Sequence, residues 1–114
     1  MIENIEYTIN ILGKKLSDNL NETDIEKTLG VLAGDGVFAM KVYIESKKTN
    51  AKFKDSYIKI FNLLEIPGND NDLDNKFETL SKDLMKLLYF KELMEKALIY
   101  ARYHSKAKSP NKTV

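Results

Sequence analysis

The chain has no cysteine and no tryptophan, a single histidine (His104), and one arginine (Arg102) among eighteen basic residues. Without cysteine there is neither a disulfide framework nor a thiolate metal site. His104 has no acid within one helical turn, so the sequence proposes no partner for general acid–base work, and no histidine cluster exists to hold a transition metal. One arginine leaves little capacity for reading base edges, where the forked guanidinium is the usual tool. No apolar run approaches the roughly 18 residues that a membrane span requires. Glu3 and Glu6 stand where a signal peptide would carry a basic leader, so a cytoplasmic home is expected. No enzyme, cofactor, metal or small-molecule substrate is expected from this inventory.

What remains is helical. With 43% hydrophobic and 31% charged residues over 114 positions, the chain has the composition of one ordinary globular domain. Ile2, Ile5, Ile9, Leu12, Leu16 and Leu20 follow three- and four-residue spacings and predict an amphipathic helix over 2–20. Gly13 interrupts that stripe and marks a bend or a close helix contact. Thr23 to Glu26 has capping-box spacing, with Thr23 as the N-cap of a short second helix carrying Ile25, Leu29 and Leu32. Gly34 is expected to stop that helix and Asp35 to cap the next.

From Gly34 to Lys47 the residues Val37, Phe38, Ala39, Met40, Val42, Tyr43 and Ile44 are apolar almost all round. So wide an apolar surface predicts a buried central helix. Phe53, Tyr57, Ile60 and Leu64 give a fourth helix, terminated by Pro67-Gly68. Leu73 through Tyr103 forms a pattern of about thirty residues, longer than most globular helices and expected to break or recap near Ser81. The fold expected is all-α, a compact bundle of five or six helices over 1–104, with a polar, frayed tail at 105–114.

Three motifs invite chemistry and fall short. Asp70, Asp72 and Asp74 alternate as in a calcium loop, but Asn75 and Ser81 stand where glycine and a bidentate glutamate are needed. A polar turn capping the following helix is the better reading. Gly34-Asp35-Gly36 lacks the Gly-Lys-Ser/Thr ending of a phosphate loop, and Asp35 would repel an anion. Residues 23–47 offer two helices about a glycine turn, but the second is too apolar to lie in a DNA groove.

Charge is the informative feature. Three lysines face seven acids in residues 1–35, and six face two in 36–59; one faces five in 60–81, and eight basic residues face three acids in 82–114. Such alternation gives a small protein unlike faces, suited to head-to-tail self-association or to a basic groove. Lys41, Lys47, Lys48, Lys52 and Lys54 cluster around the end of the third helix and the next connection. Arg102, His104, Lys106 and Lys108 line the last turn and tail, interleaved with Tyr100 and Tyr103. Lysines of this kind attract phosphate without regard to sequence.

Two segments carry a family likeness: Asp35-Gly36-Val37-Phe38 through Tyr43-Ile44 to Ser46-Lys47, and Leu80-Ser81-Lys82-Asp83-Leu84 through Glu95 and Tyr100 to Arg102-Tyr103. In both, the chain resembles the small all-helical subunit of type III CRISPR RNA-guided effector complexes, particularly the type III-B (Cmr) small-subunit family. Asp35 stands where that family commonly has asparagine, and the type III-A (Csm) small subunit is a near alternative. The resemblance implies a non-catalytic part of an antiviral defence complex, present in several copies that stack beside the other effector subunits. It implies that their basic surface lines the channel for guide RNA paired with target RNA. Lys41, Lys47, Lys48, Arg102 and Lys106 become the RNA-facing candidates, with Lys52, Lys54 and Lys108 beside them. The rival expectation is a stand-alone helical interaction or regulatory protein that binds a protein partner or, less readily, DNA.

Overall fold

The computed structural model describes residues 4–108. Among these, the chain forms six helices and no strand: α1 (Ile5–Asn19), α2 (Glu22–Asp35), α3 (Val37–Ser46), α4 (Asn50–Leu63), α5 (Leu73–Ser81) and α6 (Leu84–Ala107). The all-α bundle expected from periodicity is the architecture observed. Its centre lies elsewhere. α6 touches each of the other five helices, whereas α3 buries Val37, Met40 and Ile44 and leaves Phe38 and Val42 exposed. A short run of apolar residues is no guide to which helix is surrounded; the 24-residue α6 has the length to be reached from all sides.

α1 and α6 make the main contact, and they run parallel. Glu6 accepts from the Tyr100 hydroxyl at 3.0 Å, His104 Nε2 lies 2.7 Å from Asn10 Oδ1, and Lys108 bonds Asp18, so both chains advance together. The buried stripe Ile9, Leu12, Gly13 and Leu16 faces this seam. Gly13 is the close contact its position in the stripe predicted. A Cβ there would lie 2.6 Å from Tyr100 Cβ and 2.8 Å from the Ala97 carbonyl oxygen.

Caps set the remaining boundaries, and two differ from expectation. Asn21, not Thr23, caps α2, accepting from the Asp24 N–H at 2.7 Å. α2 also runs through Gly34 and Asp35, because nothing crowds Gly34 and a helix tolerates it there. The break falls at Gly36, whose φ of 98° is a conformation glycine adopts freely. α4 ends at Leu63, before Pro67 can act. Glu65 turns left-handed at φ 57°, and the Ile66 N–H returns to the Phe61 carbonyl at 3.0 Å. That is a Schellman closure, with buried Ile66 as its apolar anchor. α3 closes in the same way through Lys48 at φ 59°, Thr49 N–H returning to the Ile44 carbonyl at 3.1 Å.

The recap expected near Ser81 is present: Asp83 accepts from the Lys86 N–H at 3.1 Å and starts α6. α6 then continues through Ser105 to Ala107, past the expected start of the tail, and residues 109–114 lie outside the described set. Phe77 of α5 fastens the far side of the bundle. Its ring stands edge-on to Tyr57 and Phe61 of α4, each at 5.0 Å between centroids, and 5.7 Å from Phe90 of α6. Burying such a ring contributes roughly 1.5–3 kcal/mol, and edge-to-face geometry adds to it.

Candidate nucleic-acid interface

The three aspartates of the 70–74 turn are each engaged by the protein itself. Asp70 binds the buried Lys76 ammonium at 2.6 Å, Asp72 caps α5 through the Asn75 N–H at 3.1 Å, and Asp74 holds Lys41 at 2.8 Å. Among the described residues no group of three or more His, Cys, Asp and Glu could hold a metal ion, and no helix is long and apolar enough to cross a membrane. The run is the helix-capping turn its composition suggested.

The candidate basic residues fall into three settings. Lys41 is drawn inward. Its ammonium sits 2.5 Å from Glu45, 2.8 Å from Asp74 and 5.4 Å from the Phe77 ring centroid. Burial pulls its pKa down, but the hydrogen bonds it donates to Asp74 and Glu45 outweigh that, and the net shift is upward. Lys41 therefore ties α3 to α5 with its charge already compensated, as the charge of Lys108 is by Asp18.

Lys47, Lys48, Lys52 and Lys54 crowd the corner between α3 and α4, and all four are exposed. Lys47 and Lys48 follow the C-terminal end of α3, where cations suit the helix dipole; Lys47 also lies 5.7 Å from the Tyr43 ring centroid. Lys52 and Lys54 occupy the opening of α4, where the dipole disfavours them. Nothing offsets this: the first turn of α4 contains no acid, and Thr49 makes no side-chain cap bond to its amides. Among the described residues no ion pair engages any of these four lysines. The corner gathers four such cations, while the Lys52 N–H bonds the Thr49 carbonyl at 2.9 Å and Lys54 shares a hollow with Glu45 and Asp74.

The last candidates sit where the parallel helices α1 and α6 both end. Arg102 is half-buried, with its guanidinium 5.7 Å from the Tyr103 ring centroid, and Lys106 is exposed. Lys108 bonds Asp18, and that hydrogen bond, partly opposed by desolvation and reinforced by the charges of Lys108, Lys14 and His104, lowers the Asp18 pKa. Two adjacent helix C-termini gather negative partial charge, answered by Lys106 in the last turn of α6 and by Lys108 just after it.

These two basic groups meet in space. Asp18 and Lys15 line one hollow of about 290 Å³ with Lys52 and Asp55, so the α4 opening lies beside the end of α1 that Lys108 reaches. Lys52 lines that hollow with Asp18, the residue that Lys108 binds. Lys14 and Lys15 join this surface and were missed as candidates; their spacing on the polar side of α1 was visible, but the parallel packing that delivers them was not. Asp18 and Asp55 interrupt the basic surface. His104 is a bundle contact to Asn10 rather than a solvated end group.

No family model, curated protein or solved structure matches the chain.

Proposed function

We propose that the protein is a non-catalytic, RNA-backbone-binding subunit of a cytoplasmic ribonucleoprotein, of the kind found as the small subunit of type III CRISPR effector complexes. In this reading several copies stack beside the other effector subunits, and their lysines face the guide RNA–target RNA duplex. One observation carries the proposal: the α3–α4 corner, where Lys47, Lys48, Lys52 and Lys54 surround a helix opening with no acid and no side-chain cap. Its contacts are to phosphates, and Lys14, Lys15 and Lys106 extend the track toward the end of α6, where Lys108 is paired with Asp18. Lys41 is left out, since its charge is matched internally.

The test is binding of labelled RNAs of unrelated sequence, followed by fluorescence anisotropy across a salt series. Affinity is expected to be weak, indifferent to sequence and steeply salt-dependent. Changing Lys47, Lys48, Lys52 and Lys54 together to Ala is expected to flatten the log–log salt slope by roughly 3, at about 0.7 per phosphate contact. A quadruple variant that keeps the wild-type affinity and slope refutes the assignment.

A second reading, a stand-alone helical protein that binds a protein partner, draws on the groove between α1 and α4. It measures about 450 Å³ and combines Tyr7, Ile11 and Ile58 with Lys15, Asp55 and Lys59, a mixture suited to an amphipathic helix. No RNA affinity even at low salt is the outcome that favours it. A DNA-binding regulator would instead leave a sequence-specific footprint.

A further inference from the structure

The first two turns of α6 carry Leu84, Met85, Leu88 and Tyr89, exposed at 67%, 75%, 54% and 41%. Spacings of one, four and five put them on one side of the helix. Ile5 of α1 borders the same stripe. With Ile9, Tyr89 and Leu93 it lines a hollow of about 200 Å³ between α1 and α6. Farther along α6 the exposed positions are mostly polar, at Glu92, Lys96 and Lys106, with Tyr103 exposed near the far end. The stripe is thus a local concentration of apolar surface, roughly 500 Å² in extent and near the upper end for the largest patch on a monomer.

We infer that this stripe is the interface of a two-fold dimer of the chain. Its charges are arranged for a second copy in one orientation. Lys82 stands in the turn before the stripe and Glu92 in the turn after it, both exposed. Lys82 is held only loosely in its own chain, 4.0 Å from Glu78. Two α6 helices laid antiparallel about a dyad between Lys86 and Leu87 put Met85 of each copy against Leu88 of the other. The same operation sets Lys82 level with the second copy's Lys91, which its own chain pairs with Glu95 at 3.5 Å, and one residue from Glu92, which no ion pair engages among the described residues, at both ends of the contact. Leu84 and Tyr89 flank this centre, with the hollow beside Tyr89 open to an inserted side chain. A parallel pairing would set Lys82 on Lys82 and Glu92 on Glu92, which like-charge repulsion disfavours. Antiparallel helix dipoles favour the same choice.

The area fits as well. A standard interface covers about 800 Å² per partner, so the stripe supplies the apolar centre and Lys82, Lys86, Glu92 and Lys96 the rim. The pairing leaves the α3–α4 lysine corner untouched and does not depend on RNA, so either assignment can fail without the other.

Sedimentation equilibrium from micromolar to submillimolar concentration tests it. The expected result is a mass rising from 13.1 kDa to a plateau at twice that value. Leu88→Asp is expected to weaken the dimer at least thirtyfold, about 2 kcal/mol, without loss of helicity, since the side chain is exposed, and to melt lower than wild type only at concentrations where the wild type is dimeric. Lys82→Glu and Glu92→Lys are each expected to weaken it, and the double swap to restore it. The absence of cysteine gives a clean background for cross-linking: mixed Met85→Cys and Leu88→Cys chains are expected to form disulfides faster than either variant alone. A monomer at every concentration, a mass that grows past the dimer, an unaffected Leu88→Asp variant, no rescue by the double swap, or Met85→Cys linking preferentially to itself would each overturn the proposal.

Discussion

Gly13 of α1 lies so close to Tyr100 of α6 that a Cβ on the glycine would stand 2.6 Å from the Cβ of the tyrosine. The Ala97 carbonyl oxygen at 2.8 Å and the Ala101 nitrogen at 2.9 Å close the same space. These are backbone atoms on the buried side of α6, where Ala97 and Ala101 are fully covered, so a rotamer change cannot relieve the clash. Gly13→Ala is therefore expected to destabilise the protein by about 1–2 kcal/mol, overpacking outweighing the gain in helix propensity. Gly30→Ala is the control. Gly30 lies in the interior of α2 with no neighbour within 4 Å, and its substitution is expected to stabilise by about 0.5–1 kcal/mol. Urea denaturation of both variants reads the opposite signs directly.

Tyr57 is buried, and its hydroxyl has no hydrogen-bond partner. Burial, reinforced by the charge of Glu45, raises its pKa far above the ordinary phenol value of 10.0. Tyr57→Phe at neutral pH is expected to be neutral or to stabilise by up to about 1 kcal/mol, since an unpaired polar group leaves the interior. Above pH 10 the unfolded phenol ionises while the folded one stays protonated. The stability tied to Tyr57 is thus whole below pH 10 and is lost as pH rises toward the folded pKa, at about 1.4 kcal/mol per pH unit. Melting temperatures of wild type and Tyr57→Phe measured from pH 7 to 11 are expected to diverge above pH 10 in favour of the variant. Curves that stay parallel would refute this.

How much was legible beforehand depends on the range of the interaction. The α1 stripe and the α5–α6 recap are local patterns, and the residues alone carry them; Gly13 was open between a bend and a close contact, and the packing of α6 decides it. The second and third helices were bounded less well. Asn21 and Thr23 are both good caps, and only the bond from the Asp24 N–H to Asn21 chooses between them. Gly34 and Gly36 are equally good stops in sequence, but only Gly36 has a positive φ. The central helix was misplaced because apolar content measures what a segment can bury, not how many neighbours it meets. At the basic surface, the α3–α4 lysines were visible as a sequence cluster. The meeting of Lys52 with Lys15 follows from α4 lying beside α1, a long-range fact with no local signature, and Lys41 was misjudged because its partner Asp74 comes from another helix.

Lys76 is 2% exposed, with its ammonium 2.6 Å from Asp70 and 5.9 Å from the Phe61 ring centroid. Removing only the carboxylate strands a buried cation, so Asp70→Ala is expected to cost about 2 kcal/mol, less than for a fully buried pair because Asp70 is half exposed. Lys76→Met keeps the stem's packing and removes the charge, and is expected to be close to neutral. The double variant is then expected to resemble Lys76→Met, not the sum of the two. Thermal denaturation of the four proteins as a double-mutant cycle checks this, and additive losses would show that the pair is not coupled.

Lys48 and Glu65 hold the left-handed positions that close α3 and α4, at φ 59° and 57°. A side chain with a Cβ carries strain of roughly 1–2 kcal/mol there, which glycine avoids. Lys48→Gly and Glu65→Gly are each expected to stabilise by about 0.5–1 kcal/mol after the larger unfolded-state entropy of glycine is counted. Gly36→Ala, at φ 98°, is expected to lose stability by a similar amount. Lys48 separates folding from binding, because the same substitution removes one cation from the corner assigned to RNA. Lys48→Gly should melt higher than wild type and bind RNA with a shallower salt slope, while Glu65→Gly should melt higher and bind unchanged. If both variants bind as wild type does, Lys48 has no part in phosphate contact. A lower melting temperature for either would mean that its side chain makes contacts worth more than the backbone strain it imposes.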